Sequence, residues 1–185
     1  MYMRKKKVKA ILKASYLNQD DANNKLRNLG YKYDSQLSTN DNKVFIDKNG
    51  NPNIAFRGTH KLRTKDLLSD LAVLTGLDKY DTRFKEAQHV TKLVEEKYKK
   101  PVNVFGDSLG GALAEKSGAT GKIYTHNKAT GIGDLFKDIP DNQRDYRKTN
   151  DVVSVLSLTQ NHKNNNLRQE TTNNGVFDVL GNHKI

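Results

Sequence analysis

The chain has 185 residues, of which 35% are hydrophobic, and its 32 lysines and arginines exceed its 21 acidic residues to give a net charge of +11. A chain of this length suits one domain, 1–185, and is too short for two full ones. Because cysteine is absent, disulfides, thiolate metal sites and cysteine nucleophiles are all excluded.

The positive charge is densest in two short segments, residues 4–9 and 97–100. This balance favours an anionic partner such as phospholipid head groups, nucleic acid or an acidic protein surface, although a soluble basic surface explains it equally well. No known nucleic-acid-binding module accompanies the charge, so specific nucleic-acid binding is not expected. We do not expect the basic start of the chain to be a signal peptide, because Lys9 and Lys13 interrupt its apolar part. No apolar segment of the sequence reaches the length of a membrane span.

The pattern of apolar residues predicts helices and strands that alternate around the middle of the chain. Helices are predicted over residues 6–16, 21–29, 66–74 and 81–100. The first lies within a basic amphipathic segment, 1–16, and Gly30 and Gly76 end the second and third. The fourth is predicted to bury Phe84, Ala87, Thr91, Val94 and Tyr98. Predicted strands cover residues 31–37, 43–47, 53–56, 102–105, 122–125 and 152–158, the second and third forming a hairpin around an Asn-Gly turn. Residues 131–136 are predicted to turn, 161–175 to form an exposed loop, and 176–180 to pack back onto the body. This order predicts an α/β fold with a largely parallel central sheet and helices on both faces.

The segment VNVFGDSLGGALAE, residues 102–115, is the strongest functional pattern. A short apolar run leads into a glycine-rich turn with Ser108 at its apex, and helix-forming residues follow. A nucleophile held in a sharp strand-to-helix turn needs small residues on both sides, and Gly106 and Gly110 supply them. The first amides of the helix can then stabilise the oxygen of a tetrahedral intermediate. The alternative interpretation is a serine that caps the helix in a glycine-rich turn.

A serine nucleophile needs a base that accepts its proton and an acid that orients the base. In α/β-hydrolases the acid and then the histidine follow the serine along the chain. Asp151 is the preferred acid, because it directly precedes an apolar run. Three other aspartates in polar loop sequence rank below it: Asp134, Asp138 and Asp141.

The preferred base is His183, because the apolar segment 176–180 can anchor it. His162 is the alternative, although it lies inside the asparagine-rich loop. His126 precedes Asp151 and so breaks the expected order. The two remaining histidines precede the serine; we interpret His60 as a possible neighbour of the site and His89 as a helix-face residue.

Four segments in consistent order resemble the class 3 lipases, the fungal triacylglycerol lipase type of α/β-hydrolase. Within them, the chain is most similar to the small lipase-like proteins of large DNA viruses and their satellite viruses. The segments are DSQLS (34–38), IAFRGT with DLLSDL (54–59 and 66–71), VFGDSLGGALA (104–114) and RKTNDVVSVL (147–156). The likeness runs from about residue 10 to the C-terminal end.

The resemblance implies an α/β-hydrolase fold and a role for each site residue. Ser108 corresponds to the nucleophile, Asp151 to the triad acid and His183 to the base. One oxyanion contact comes from Thr59 and the other from the amide of Leu109. No cofactor or metal is implied, and a small gating loop is conceivable over 74–80. The chain departs from these lipases at position 107, where they usually have histidine and this sequence has aspartate. Asp107 places a carboxylate beside the nucleophile.

We therefore expect a serine ester hydrolase that acts on lipid or phospholipid esters through an acyl-enzyme, with its basic surface helping it to dock on anionic membrane. The alternative is a catalytically weak or inactive protein of lipase fold that serves as a virion-associated structural or binding component. Its partners would then be other virion or capsid proteins. The expected location is the host cytoplasm or the virion.

Overall fold

The computed structural model describes residues 2–59, 78–149, 151, 154–162 and 167–170. Its centre is a seven-stranded sheet in which the strands lie side by side in chain order. The first three strands are antiparallel neighbours, and every neighbour from β3 to β7 is parallel. The strands are β1 (Lys32–Asp34), β2 (Asn42–Ile46), β3 (Pro52–Phe56), β4 (Asn103–Asp107), β5 (Ile123–His126), β6 (Gln143–Lys148) and β7 (Leu167–Glu170). The predicted α/β class with a largely parallel sheet is confirmed.

Helices cover both faces of this sheet. They are α1 (Lys5–Ser15), α2 (Gln19–Asn28), α3 (Asp78–Tyr98) and α4 (Leu109–Lys116), with short 3-10 turns at Ile132–Asp134 and Val155–Thr159. Successive strand residues point to opposite faces. One face packs on α1 and α2 through Phe45, Ala55 and Phe105, and the other packs on α3 and α4 through their chain neighbours Val44, Ile54 and Val104.

The first two helices form where the apolar spacing predicts them. Val8, Ile11 and Leu12 of α1 are fully buried because their helical spacing places them on one side, facing the sheet. Asn18 caps α2 by accepting a hydrogen bond from the amide of Asp21 at 2.9 Å. The chain leaves α2 through Gly30, whose φ is +82°, so the predicted glycine stop is confirmed.

The predicted hairpin and edge strand are also confirmed. Val44 of β2 pairs with Ile54 of β3, and β1 adds to the outer edge of β2. The Asp47 carboxylate closes the hairpin turn by accepting hydrogen bonds from the amides of Asn49 and Asn51, at 2.8 and 2.9 Å.

Helix α3 begins three residues before its predicted start. Of the five residues predicted to be buried on it, Ala87, Thr91 and Val94 are buried. The other two, Phe84 and Tyr98, are partly buried against the same core. The helix therefore lies on the sheet through the predicted stripe.

Two predictions for the C-terminal part are wrong. Residues 152–158 were expected to form a strand, yet the described part of this segment is a 3-10 turn, Val155–Thr159. The loop predicted over 161–175 contains β7, and β6 was not predicted at all. The reason is the same for both strands: β6 buries Gln143 and Asp145, and β7 reads LRQE, so neither strand shows an apolar pattern.

Several predicted features lie outside the described residues: the helix 66–74 with Gly76, the packing segment 176–180, most of the gating loop 74–80, His60 and His183. None of the described helices combines the length and the apolar character that crossing a membrane requires.

Candidate active site

Ser108 lies between β4 and α4 in a strained backbone conformation. Its φ of 55° and ψ of −124° belong to a region that residues with a side chain rarely occupy. The turn is tight enough that a Cβ added to Gly106 would lie 1.9 Å from the carbonyl oxygen of Gly110. A Cβ on Gly110 would lie 2.4 Å from the carbonyl oxygen of Phe56. Both flanking glycines are therefore required by close approach of the backbone, as the nucleophile-turn interpretation demands.

The Ser108 side chain does not cap the helix that follows it. Although Ser108 occupies the N-cap position of α4, it makes no capping hydrogen bond. Its Oγ is buried and has no hydrogen-bond partner among the described residues. The helix-cap interpretation is therefore wrong, and a buried hydroxyl without a structural partner is available for chemistry.

The backbone of Ser108 is firmly held on the neighbouring strand. Its amide donates to the carbonyl of His126 at 3.0 Å, and its carbonyl accepts from Ala129 at 3.1 Å and from Gly111 at 2.9 Å. These bonds fix the turn between β4, β5 and the first turn of α4.

The two residues expected to form the oxyanion site, Thr59 and Leu109, belong to segments next to the serine. Leu109 is the first residue of α4, where helix amides have no intrahelical acceptor. Thr59 follows the end of β3, which is parallel to β4 and pairs Phe56 with Gly106. A Cβ added to Gly58 would lie only 3.4 Å from Ser108 Cβ. The segment that carries Thr59 therefore passes directly beside the serine.

The Asp107 carboxylate lies on the α1 face of the sheet, in contact with Tyr16 and His126. Its Oδ2 accepts a hydrogen bond from the Tyr16 hydroxyl at 3.0 Å, and its Oδ1 lies 2.8 Å from His126 Nδ1. Burial and the nearby Asp107 charge raise the pKa of Tyr16, so its hydroxyl remains a donor. Asp107 stands out in the sequence, but Tyr16, the last residue of the predicted helix 6–16, was not predicted to be its partner. An acidic residue preceding the serine was the only signal that such a partner exists.

Asp151 is fully buried three residues beyond β6, at the same carboxyl edge of the parallel strands as Ser108. Its Oδ1 accepts the amide of Ser154 at 2.7 Å, and its backbone carbonyl accepts from Arg147 at 3.3 Å. Since β5 alone separates β4 from β6, the strands that lead to Ser108 and Asp151 lie two strand spacings apart, about 10 Å.

Both ring nitrogens of His162, the alternative base, lie against other groups of the protein. Its Nε2 lies 2.9 Å from Asp145 Oδ2 and its Nδ1 lies 2.9 Å from the carbonyl oxygen of Gln160. Both partners are acceptors, so both contacts are hydrogen bonds only when the ring carries two protons. Both ring nitrogens therefore face these two oxygens rather than the Ser108 hydroxyl.

His126 is also engaged, by Asp107 through its Nδ1. His183 lies outside the described residues, and its role stays a prediction.

A second set of buried polar groups, which we name the Lys128 cluster, lies on the α4 face of the sheet. It consists of Lys128, Glu115, Asp145, Gln143 and His162. Lys128 Nζ donates to Glu115 Oε2 and lies 3.3 Å from Asp145 Oδ2, and Gln143 bonds both carboxylates at 2.7 Å. Burial alone raises the pKa of Asp145, but Lys128, His162 and Thr125 outweigh it and lower that pKa to about 2.

Comparison of the chain with protein-family models, with curated proteins and with solved structures gives no match. Within the described ranges, no group of three or more histidine and carboxylate side chains is arranged to hold a metal ion. The site is therefore defined by its own geometry, above all by the backbone at Ser108.

Proposed function

We propose that this protein is a serine ester hydrolase of the α/β-hydrolase type, resembling class 3 lipases, with Ser108 as its nucleophile. The observation that supports this most directly is the strained serine between a parallel strand and a helix, with a buried hydroxyl that has no hydrogen-bond partner among the described residues. Such strain persists where the surroundings enforce it and is typical of functional sites. The order of serine, Asp151 and a later histidine agrees with the same class.

In this mechanism Ser108 Oγ attacks the ester carbonyl while His183 accepts its proton, and Asp151 orients the imidazole. The amide of Leu109 and Thr59 stabilise the oxyanion of the tetrahedral intermediate. His183 then protonates the leaving alcohol, which departs and leaves an acyl group on Ser108. Water, activated by the same histidine, attacks the acyl-enzyme and releases the carboxylic acid.

A cavity of about 430 Å³ between β2, β3 and α3 supports an apolar acyl group as part of the substrate. Its apolar walls include Phe56, Ala87 and Leu113, and Asp41 and Arg83 lie at its polar side. Arg83 donates to the carbonyl of Arg57 at 2.7 Å, so the cavity adjoins the segment that leads to Thr59. The volume falls within the roughly 300–1,000 Å³ common for small-molecule sites.

The basic N-terminal segment lies at the opposite edge of the sheet. Tyr2 donates to the carbonyl of Asp141 at 3.1 Å, and Lys122 stands 4.9 Å over its ring. Asp141 and Lys122 precede β6 and β5, so they mark the amino edge of strands whose carboxyl edge carries Ser108. Docking through residues 4–9 would therefore leave Ser108 facing away from the membrane. For this reason we propose lipid esters as substrates but do not propose that residues 4–9 bind the membrane.

The test is Ser108→Ala against Ser117→Ala. Ser117 is a buried serine directly after α4 whose hydroxyl bonds the carbonyl of Ala114 at 2.8 Å, so it controls for loss of a buried hydroxyl. We expect wild type and Ser117→Ala to hydrolyse short p-nitrophenyl esters and to react with a fluorophosphonate probe. Ser108→Ala should lose the labelling and about 10⁴- to 10⁶-fold of the turnover while remaining folded.

Equal turnover by Ser108→Ala and wild type would overturn the proposal. A wild-type protein that neither labels nor turns over would instead favour the non-catalytic binding protein.

A further inference from the structure

We propose that Tyr16 is a positioning residue for the oxyanion site: through Asp107 it fixes the segment 57–59 against the turn that carries Ser108. This inference rests on the proposed hydrolase function, since it assigns a task within that same site. It concerns a residue at the end of α1, more than 90 positions from the serine along the chain, that acts through its hydroxyl group.

The Asp107 carboxylate joins three elements of the fold. Tyr16 directly follows α1, Asp107 ends β4, and His126 ends β5. The Asp107 carboxylate accepts from Tyr16 at 3.0 Å on one oxygen and lies 2.8 Å from His126 Nδ1 on the other. Both carboxylate oxygens are therefore engaged, and the residue before Ser108 is held from two sides.

The same hydroxyl packs against the backbone of Gly58. A Cβ added to Gly58 would lie 2.5 Å from Tyr16 Oη and 2.5 Å from the carbonyl oxygen of Asp107. Real side chains do not approach so closely, so only glycine permits this contact. Tyr16 and Asp107 thus enclose the backbone at position 58, one residue before the oxyanion residue Thr59.

The Tyr16 hydroxyl stays protonated, so its hydrogen bond to Asp107 persists. Burial raises the pKa of Tyr16 first, the Asp107 charge raises it further, and the Gly58 amide opposes both without reversing the direction. The hydroxyl therefore keeps its proton across the working range of an esterase and continues to donate to Asp107. This hydrogen bond holds the Asp107 charge on the α1 face, away from the oxyanion that forms beside Ser108, where a second negative charge would oppose catalysis.

Loss of the link should affect the transition state more than substrate binding. Oxyanion donors must meet the developing charge at hydrogen-bonding distance, and a displacement of about 1 Å can cost on the order of 100-fold in rate. The ground-state ester does not yet carry that charge. We therefore expect a lower kcat with little change in KM.

The decisive variant is Tyr16→Phe, and Tyr124→Phe is its matched control. Tyr124 is a buried tyrosine on the same face whose hydroxyl accepts the amide of Met3 at 2.9 Å, far from the serine. Two quantities are measured: kcat and KM for a short p-nitrophenyl ester, and amide hydrogen exchange at Gly58 and Thr59 by NMR. We expect Tyr16→Phe to lower kcat about 10- to 100-fold and to speed exchange at both amides. Tyr124→Phe should change neither.

Asp107→Asn and Asp107→Ala refine the test. The asparagine retains an oxygen that accepts from Tyr16, so it should keep most of the activity. Asp107→Ala should reproduce the kcat loss of Tyr16→Phe, and the double variant Tyr16→Phe/Asp107→Ala should lose no more than either alone, because both remove one link.

The outcomes separate this proposal from the proposed function. Exchange at Gly58 and Thr59 that is unchanged in Tyr16→Phe overturns the positioning role, as does faster exchange with kcat equal to that of Tyr124→Phe. A wild-type enzyme without turnover overturns the hydrolase function, and the exchange measurement then decides by itself whether Tyr16 anchors the segment.

Discussion

Two buried polar networks lie on opposite faces of the central sheet and serve the fold differently. On the α1 face, Tyr16, Asp107 and His126 join around one carboxylate next to the candidate nucleophile. On the α4 face, the Lys128 cluster collects a lysine, a histidine and two carboxylates. Both are largely buried, yet the first adjoins the strained serine and the second lies among the strands and loops that surround α4.

The difference lies in how each network handles charge. In the Lys128 cluster, Lys128 is the cation in contact with both the Glu115 and the Asp145 carboxylate, so its removal leaves both carboxylates uncompensated. The Asp107 network satisfies its carboxylate with an uncharged hydroxyl and a ring nitrogen. We infer that the first network mainly maintains the fold, whereas the second mainly maintains the geometry of the site.

The largest effect on stability is expected from Lys128→Met. The methionine fills much of the same space, but two buried carboxylates lose their cation, which costs about 3–5 kcal/mol in the free energy of unfolding. Urea unfolding measures this loss. Turnover per folded molecule should stay close to wild type, and a selective loss of turnover would contradict the division of roles.

Acid should weaken the wild-type protein through the same cluster. The pKa of Asp145 is lowered from 3.8 to about 2, so its ionised form stabilises the folded state above pH 4. That contribution disappears as the pH falls from about 4 to 2. Urea unfolding across this range should show the decline in wild type and a shallower one in Lys128→Met. An equal decline in the two proteins would show that the pairing of Lys128 with Asp145 does not cause the loss of stability in this pH range.

Gly58→Ala should affect both the fold and the site. The added methyl group meets Tyr16 and the Asp107 carbonyl at 2.5 Å, so the segment 57–59 must shift, at a cost of about 1–3 kcal/mol. Because that shift displaces Thr59, kcat should fall by on the order of 100-fold. Gly118→Ala is a suitable comparison for stability alone, because its added Cβ meets no atom within 4 Å although its φ of +75° adds strain. If Gly58→Ala retained full turnover, close packing at position 58 would not matter for catalysis.

The smallest effect is expected from His162→Ala. Loss of its hydrogen bonds to Asp145 and Gln160 should reduce the free energy of unfolding by about 1–2 kcal/mol. Turnover should remain, because both ring nitrogens lie against Asp145 and Gln160 and we expect His183 to be the base. His183→Ala should instead abolish turnover with little loss of stability. The reverse pattern would assign the base to His162.

The sequence alone was sufficient where local geometry and apolar spacing act together. Val8, Ile11 and Leu12 predict α1 because helical spacing places them on one side, and the Asn-Gly pair predicts the β2–β3 hairpin because it tolerates the required turn. The strand–turn–helix around Ser108 was predictable for the same reason: the flanking glycines are a local requirement of the backbone.

Only the tertiary structure decided what depends on partners distant in sequence. Strand β6 was missed because it buries Asp145, whose partners Lys128 and His162 come from other segments. Likewise, Asp107 looked like an isolated charge beside the nucleophile until Tyr16 and His126 were found on either side of it. Apolar burial leaves a periodic pattern along the chain, whereas a buried charge depends on residues that only folding brings together.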